Sequence, residues 1–369
     1  GRRRARVDVA VASRAAFILC AALPAAFLVA GCAEPWAARE AAPPPVAPPP
    51  AQPGAMAPRL VAAPSGLLLT WLEPAGPDAE TAKRLRFARW SDGGWSEPVT
   101  VAEGSSFFAN WADFPSVAEN AGGTLLAHWL EKTGEAPYAY GVQLARSDDG
   151  GATWRPLGYL HDDGTPTEHG FVSLVPEAQG FTAVWLDGRA MLDGGPMALR
   201  SAPVGERVGA STVIDPRVCD CCGTAAVSTA AGVLAAFRDR SDDEIRDVSL
   251  ARRTGGGWSE PEPLHRDGWQ IAACPVNGPA LDAGGEERER VVAAWYTVAD
   301  GLARVQAAFS GDGGATFGPP AELARDTPLG RVDAVLDGAD RPGAVVSWLA
   351  SVGGRGVVYL RRVDLTGRL

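Results

Sequence analysis

Four cysteines carry the most reactive side chains of the chain: Cys219, Cys221 and Cys222 in the run VCDCCGT, and Cys274 in AACPVNGP. In an oxidising compartment an even set of thiols closes into disulfides. Two bridges can be drawn in three ways. One contains the strained vicinal pair Cys221 and Cys222; the others join both to Cys219 and Cys274, one of them through a cramped Cys219 to Cys221 link. The other chemistry open to these residues is metal or redox. Adjacent thiolates suit a soft ion such as Cu or Zn, His169 or His265 can add a nitrogen, and a strained bridge is readily reduced. The C-x-C-C spacing matches no zinc-knuckle pattern, so both readings stand.

Positions of these motifs follow from a repeat. Short apolar runs end in a large aromatic at Trp71, Trp129, Trp185, Phe237, Trp295 and Trp348, at intervals of 58, 56, 52, 58 and 53 residues. A strand-rich unit of this length is one blade of a β-propeller. With 44 Gly, 30 Pro and only 3 Met, frequent turns and short strands are expected. The predicted fold is all-β, a six-bladed propeller over residues 59–369. Its blades begin near Arg59, Phe114, Gly170, Thr224, Pro275 and Arg331. The sixth unit lacks a clear fourth strand and Gly stands at position 1, so the expectation is an incomplete last blade, through truncation or a three-stranded design. On this map VCDCC and AACPVN head neighbouring blades 4 and 5, and their four sulfurs should converge.

Residues just after each repeat aromatic should line one mouth of the propeller: Glu73, Glu131, Lys132, Asp187, Arg189, Arg238, Asp239, Arg240 and Tyr296. Trp111, Asp113, His169, Asn277, Arg331 and Asp333, at or before the first strand of a blade, should join them. Unlike charges around a concave mouth are a usual setting for ligand binding. The dense run from Arg238 to Asp247 is the expected polar wall of such a pocket.

The N-terminus is of another kind. Arg2, Arg3, Arg4, Arg6 and Arg14 precede an apolar stretch that ends in Val29-Ala30-Gly31-Cys32, as in an export signal. The last four residues resemble the lipobox of bacterial lipoproteins, which implies lipidation of Cys32 and a membrane-anchored protein on the periplasmic side or at the outer membrane. Residues 32–58, rich in Pro and Ala, read as an extended spacer. Removal of residues 1–31, with five Arg and one Asp, takes the net charge from −10 to −14. Such an acidic chain has no basic excess for phosphates, so nucleic acid is not an expected partner. The expectation is a monomer that binds a glycan or an envelope protein.

Two eight-residue segments share the pattern S-x-D-x-G-x-T-aromatic: Ser147, Asp149, Gly151, Thr153 and Trp154, then Ser310, Asp312, Gly314, Thr316 and Phe317. Shortened relatives run from Ser91 to Trp95 and from Thr254 to Trp258. Their chemistry is that of a turn. The pattern resembles the Asp-box, or bacterial neuraminidase repeat, of the sialidase superfamily. That resemblance covers the chain from about Arg59 onward and implies a six-bladed propeller with the boxes on the face opposite the active one. It also implies a retaining glycosidase with a Tyr nucleophile activated by Glu, an Asp acid/base and three Arg on a sugar carboxylate. Asp113, Arg189, Arg238, Tyr296 and Arg331 are the candidates for such roles, with Arg240 and Tyr359 as substitutes. The early Arg-Ile-Pro motif is absent, Pro58-Arg59-Leu60 being its nearest match, and neither Tyr296 nor Tyr359, the Tyr at credible strand positions in the last blades, lies in a recognisable motif. These departures predict ligand binding without sialidase catalysis; the alternatives are an exo-α-sialidase and a periplasmic metal-binding or thiol-redox protein.

Overall fold

The computed structural model describes residues 47–76, 82–255, 257–338 and 342–368. Cys32, the signal-like segment and the first part of the spacer lie outside the described residues. No helix among the described residues is long and apolar enough to cross a membrane.

Six antiparallel sheets form a ring. With strands lettered A to D in chain order, blade 1 comprises Met56–Ala63, Gly66–Pro74, Lys83–Ser91, and a D strand split into Gly94–Trp95 and Val99–Gly104. Blade 2 comprises Ser116–Glu119, Leu125–Lys132, Tyr140–Ser147 and Arg155–Tyr159; blade 3, His169–Glu177, Gly180–Asp187, Ala198–Val204 and Thr212–Asp215. In blade 4 the strands are Ala225–Thr229, Gly232–Arg238, Val248–Thr254, and a split D of Gly257–Trp258 and Glu262–Pro263. Blade 5 follows with Ala280–Gly284, Arg290–Thr297, Arg304–Ser310 and Ala321–Arg325. Blade 6 has three strands, Pro328–Leu336, Gly343–Val352 and Arg355–Asp364. The expected blade starts hold within a few residues, and blade 1 begins inside the stretch read as spacer.

Strand A of each blade packs against strand A of the next from blade 1 to blade 6, so the A strands line the axis. Strand B is covered on both faces; all eight residues of Gly180–Asp187 are buried. This explains why the B strands read as continuous apolar runs rather than as alternating ones. The core lies between sheets, for instance where Trp295 meets Ala236 and Val248 of blade 4.

Both Asp-boxes close the same network at their C to D turns. Ser147 Oγ donates to Asp149 Oδ1 (2.8 Å) and accepts from Gly151 N (2.9 Å), while Asp149 accepts from Thr153 N (2.9 Å) and Thr153 Oγ1 (2.6 Å). Ser310, Asp312, Gly314 and Thr316 repeat these bonds at 2.7, 2.8, 2.9 and 2.6 Å. Hydrogen bonds, first from Thr153, hold the Asp149 carboxyl down at about 2. Trp154 meets Phe87 of blade 1 edge to face at 5.7 Å, and Phe317 packs with Leu234 of blade 4. Each box thus pins its blade to the preceding one. Thr124 donates to Asp148 and Gly313 N to Glu289 O, which puts the boxes on the face of the A to B turns. The B to C loops and D to A connections occupy the other face.

Gly151 has φ +98°, and a Cβ there would lie 2.3 Å from Phe87 Cζ, whereas Gly150 has φ +72° with open space around it. Gly150→Ala should cost only the left-handed backbone term, about 1 kcal/mol. Gly151→Ala should add a clash with a buried ring, for a total of about 3 kcal/mol. Urea unfolding of both variants checks this; equal losses would mean that the box does not seat against Phe87.

Candidate functional site

The B to C face gathers most of the polar residues singled out above, but the fold assigns many of them to internal work. Residues two apart on a strand share a face, and a buried indole N–H usually takes an acceptor. Glu73, Glu131 and Asp187 supply it, accepting from Trp71, Trp129 and Trp185 Nε1 at 2.9, 3.0 and 3.0 Å. These three carboxylates are thus each engaged by an indole of their own blade. Blade 4 carries Phe237 instead, and Asp239, with no indole to serve, accepts from Ser249 Oγ and Arg240 N. Burial raises its carboxyl pKa. In blade 5, Trp295 turns to Asp267 at 2.7 Å.

Arg238 is not the free carboxylate-binding group that its position suggested. Its side chain is buried over the Trp269 ring (4.7 Å), and it donates to the carbonyls of Asn277, Arg246 and Tyr296. It staples blades 4 and 5. Tyr296 is buried edge to face against Trp269, and burial raises its phenol pKa, which opposes a nucleophilic role. Tyr359 stacks on Trp348 at 5.8 Å. The run from Arg238 to Asp247 is largely neutralised: Arg240 pairs with Asp220 and Glu244, Arg246 with Glu244, and Arg217 with Asp242.

His169, Asp187 and Arg189 do come together, between blades 2 and 3. His169 Nδ1 donates to Thr167 O, and its Nε2 lies 3.2 Å from Asp163 Oδ1 and 3.7 Å from Asp187 Oδ1. Arg189 bridges Asp187 (2.7 Å) and Asp162 (3.1 Å). His161 stacks on His169, with centroids 3.7 Å apart and planes 9° apart. Burial lowers the His161 pKa to about 4, so it is neutral at pH 7. Ligand atoms of His161, Asp163 and His169 lie within 4.8 Å of one another, but the lone pairs of stacked rings lie in separate, nearly parallel planes, which does not fit both imidazoles on one metal ion.

Nearer the axis lies a set that the sequence reading only partly identified. Tyr140, stacked on Phe108 at 4.2 Å, donates its hydroxyl to Glu168. Asp113 is buried and accepts from Phe171 N at 2.6 Å. Burial is the first cause that raises both Asp113 and Glu168 to about 7, and the charge of Glu168 acts further on Asp113. Burial and these two carboxylates push the Tyr140 phenol far up. Neither Tyr140 nor Glu168 was a sequence candidate, because neither belongs to a motif and they are 28 residues apart.

Arg331 completes this face from blade 6. Its φ is +55°, its N–H donates to Asn277 Oδ1 (2.9 Å), and its guanidinium lies 4.3 Å over the Trp111 ring. Trp111, in the connection from blade 1 to blade 2, is 69% exposed. Among the described residues no carboxylate pairs with Arg331, and burial lowers its pKa. Asn277 itself is a staple that also donates to Pro275 O and Leu329 O. Arg59 is exposed at the start of blade 1 and close enough for its charge to act on Asp113. Two open clefts lie on the Asp-box face instead, one lined by Glu177 and Arg253 and the other by Glu287 and Arg290. Glu177 and Arg253 already pair there.

The sulfurs of Cys219, Cys221 and Cys222 lie within 4.8 Å of one another, and Cys221 is bonded to Cys274. The vicinal bridge does not form. Cys219 and Cys222 remain, both buried, with sulfurs 2.6 Å apart. Two thiolates on one tetrahedral zinc at 2.3 Å would sit about 3.7 Å apart, so this spacing does not fit a shared zinc ion, and the two sulfurs are free thiols in contact. His265 pairs with Asp267, and His169 with Asp163 and Asp187.

The fold is a six-bladed β-propeller with polar and aromatic residues gathered on the B to C face. No family model and no curated protein matches the sequence. Among solved structures the chain is similar to the α-L-arabinanase of Penicillium chrysogenum complexed with arabinobiose, at 16% identity over 87% of this chain and 97% of that one, with a TM-score of 0.52. It is also similar to the α-L-arabinofuranosidase of Fusarium graminearum (14%, 86% and 96%, 0.52) and to a sialidase of Streptococcus pneumoniae (11%, 85% and 69%, 0.51). At these identities the likeness establishes the fold.

Two expected outcomes follow from this geometry. Arg238→Met strands three buried carbonyls and should cost about 3 kcal/mol or more, read as a fall in denaturation midpoint whether or not ligand is present. Asp113 has a folded pKa above its unfolded one, so its protonated form favours folding, and that contribution is lost as pH rises from about 4 through about 7. Between pH 5 and 8, wild type should lose about 2 to 3 kcal/mol relative to Asp113→Asn. Parallel pH profiles of the two proteins would refute the Asp113 assignment.

Proposed function

We propose that the protein binds an acidic glycan at the B to C face, the sugar lying on Trp111 and its carboxylate or sulfate meeting Arg331 and Arg59. One observation carries the reading: Arg331 is a partly buried guanidinium with no carboxylate partner among the described residues, seated on an exposed indole. Desolvating a cation without an anion is unfavourable, and an anionic ligand would recover that cost through charge-assisted hydrogen bonds. Exposed Trp offers an apolar face for a sugar ring. That propellers of this fold in other organisms are arabinanases, arabinofuranosidases and sialidases supports a glycan over a protein ligand.

Binding without sialidase turnover is the reading that the Tyr chemistry favours. Tyr140 is the tyrosine paired to a glutamate, yet it is buried and its phenol is pushed away from ionisation. A hydrolytic reading rests on Asp113, whose pKa of about 7 suits a general acid. We further propose that Cys32 is lipidated and tethers the propeller to the bacterial envelope.

The test is calorimetric titration with a sialic- or uronic-acid oligosaccharide, with a neutral arabino-oligosaccharide alongside. Arg331→Ala and Trp111→Ala should each weaken acidic-glycan binding at least about tenfold, and binding should weaken with added salt. Equal affinity for the neutral sugar, or no effect of either substitution, would remove the reading. Turnover of a sialoside that is lost in Asp113→Asn would replace it with the hydrolytic one.

A further inference from the structure

The cysteine group at the head of blade 4 lies beside the proposed glycan site but has chemistry of its own. Cys219 and Cys222 form a C-x-x-C pair, with Cys221 between them holding Cys274 of the next connection. Arg246, whose side chain is 4% exposed, donates Nη1 to Cys219 Sγ at 3.3 Å and Nη2 to Glu244 at 2.8 Å. A neutral disulfide sulfur is a poor acceptor for a buried guanidinium, whereas a thiolate is a good one. Cys219 Sγ is also within 4.8 Å of Cys221 Sγ, and Cys274 is exposed at the far end of that bridge.

We propose that the four cysteines form one thiol–disulfide exchange unit, in which Cys219 attacks the Cys221–Cys274 bridge and Cys222 resolves the product. In the first step the Cys219 thiolate forms a bond to Cys221 Sγ. The Cys221–Cys274 bond breaks, and Cys274 leaves as a thiolate that takes a proton from solvent. In the second step Cys222, losing its proton to solvent, bonds to Cys219 Sγ and expels Cys221 as a thiolate. The Cys219/Cys222 dithiol is oxidised by two electrons and the Cys221–Cys274 disulfide is reduced by two, so no outside oxidant is needed.

The polarity of the pair agrees with these roles. Hydrogen bonds from Cys222, with further help from Cys221 N and Arg246, hold the Cys219 thiol down at about 6. Burial and the neighbouring Cys219 push Cys222 up. That order, a low attacking thiol and a high buried resolving thiol, assigns Cys219 as the attacker and Cys222 as the resolving thiol. The same unit touches the mouth: Asn277, whose side chain fixes Arg331 N, donates its backbone N–H to Cys222. Breaking the Cys221–Cys274 link would release the connection that carries Asn277.

Acid-quenched alkylation and peptide mapping of the full chain, equilibrated in dithiothreitol buffers of graded potential, tests the proposal. Wild type with one disulfide should contain two isomers, one bridged Cys221–Cys274 and the other Cys219–Cys222. In Cys222→Ser a Cys219–Cys221 bridge with free Cys274 should accumulate. In Cys219→Ser only the Cys221–Cys274 bridge should form, and the exposed thiol should appear only when that bridge is itself reduced. With alkylating reagent concentrated enough that exchange limits the rate, Cys274 alkylation in wild type should rise tenfold per pH unit below about 6 and level off above it, and Arg246→Met should move that break upward. A single isomer in wild type at every potential overturns the proposal without recourse to any variant. So does a Cys274 labelling rate unchanged by Cys219→Ser.

Discussion

A buried indole N–H calls for an acceptor, and much of the polar architecture of blades 1 to 5 follows from how each meets or avoids that demand at the end of its B strand. The large aromatic on each B strand fills the space between neighbouring sheets. Where that aromatic is Trp, packing alone is insufficient, because the ring brings a donor into a dry interface. Three blades solve the problem locally, with a carboxylate two residues on along the same face. Blade 5 borrows Asp267 from the preceding connection, and blade 4 avoids the problem with Phe237. The consequence reaches the B to C face: Glu73, Glu131 and Asp187, at the ends of their B strands, each give one acceptor site to an indole of their own blade.

Neutralisation of charge continues through the connections. Arg238 is engaged by three carbonyls, and Arg189 and Arg240 by carboxylates. Against this background Arg331 differs. It sits in a left-handed backbone conformation held by Asn277, over the exposed Trp111 ring, and its guanidinium meets no carboxylate or carbonyl among the described residues. The site proposal therefore rests on an unmatched cation, and the abundance of charge contributes little to it. The cysteine unit is linked to the same residue through Asn277, so a redox event and ligand occupancy would share one support.

Legibility of these features varied with the range of the interactions involved. The aromatic period gave six blades, and the Asp-box residues were read correctly as turn chemistry because every bond in the box is made within five residues. Convergence of the two cysteine motifs also followed from the period, since equivalent positions on adjacent blades must be neighbours. Tyr140 and Glu168 were missed for the opposite reason: their bond joins a C strand to the head of the next blade, and no short motif contains it. Arg238 was misassigned because its position in the repeat fixes where its Cα lies but not whether its guanidinium turns to solvent or to Asn277 and Tyr296.

By itself the sequence determined the periodic and the local: blade count, the order of strands, the turns and the place of the four thiols. These depend on apolar spacing and on side chains that bond to nearby backbone. Tertiary structure decided which of the charged residues remain free, which sulfurs pair and which carboxyls are held near neutral pKa. Each of those outcomes is set by burial and by partners contributed from another blade, and a buried charge has no fixed role until the group that faces it is in place.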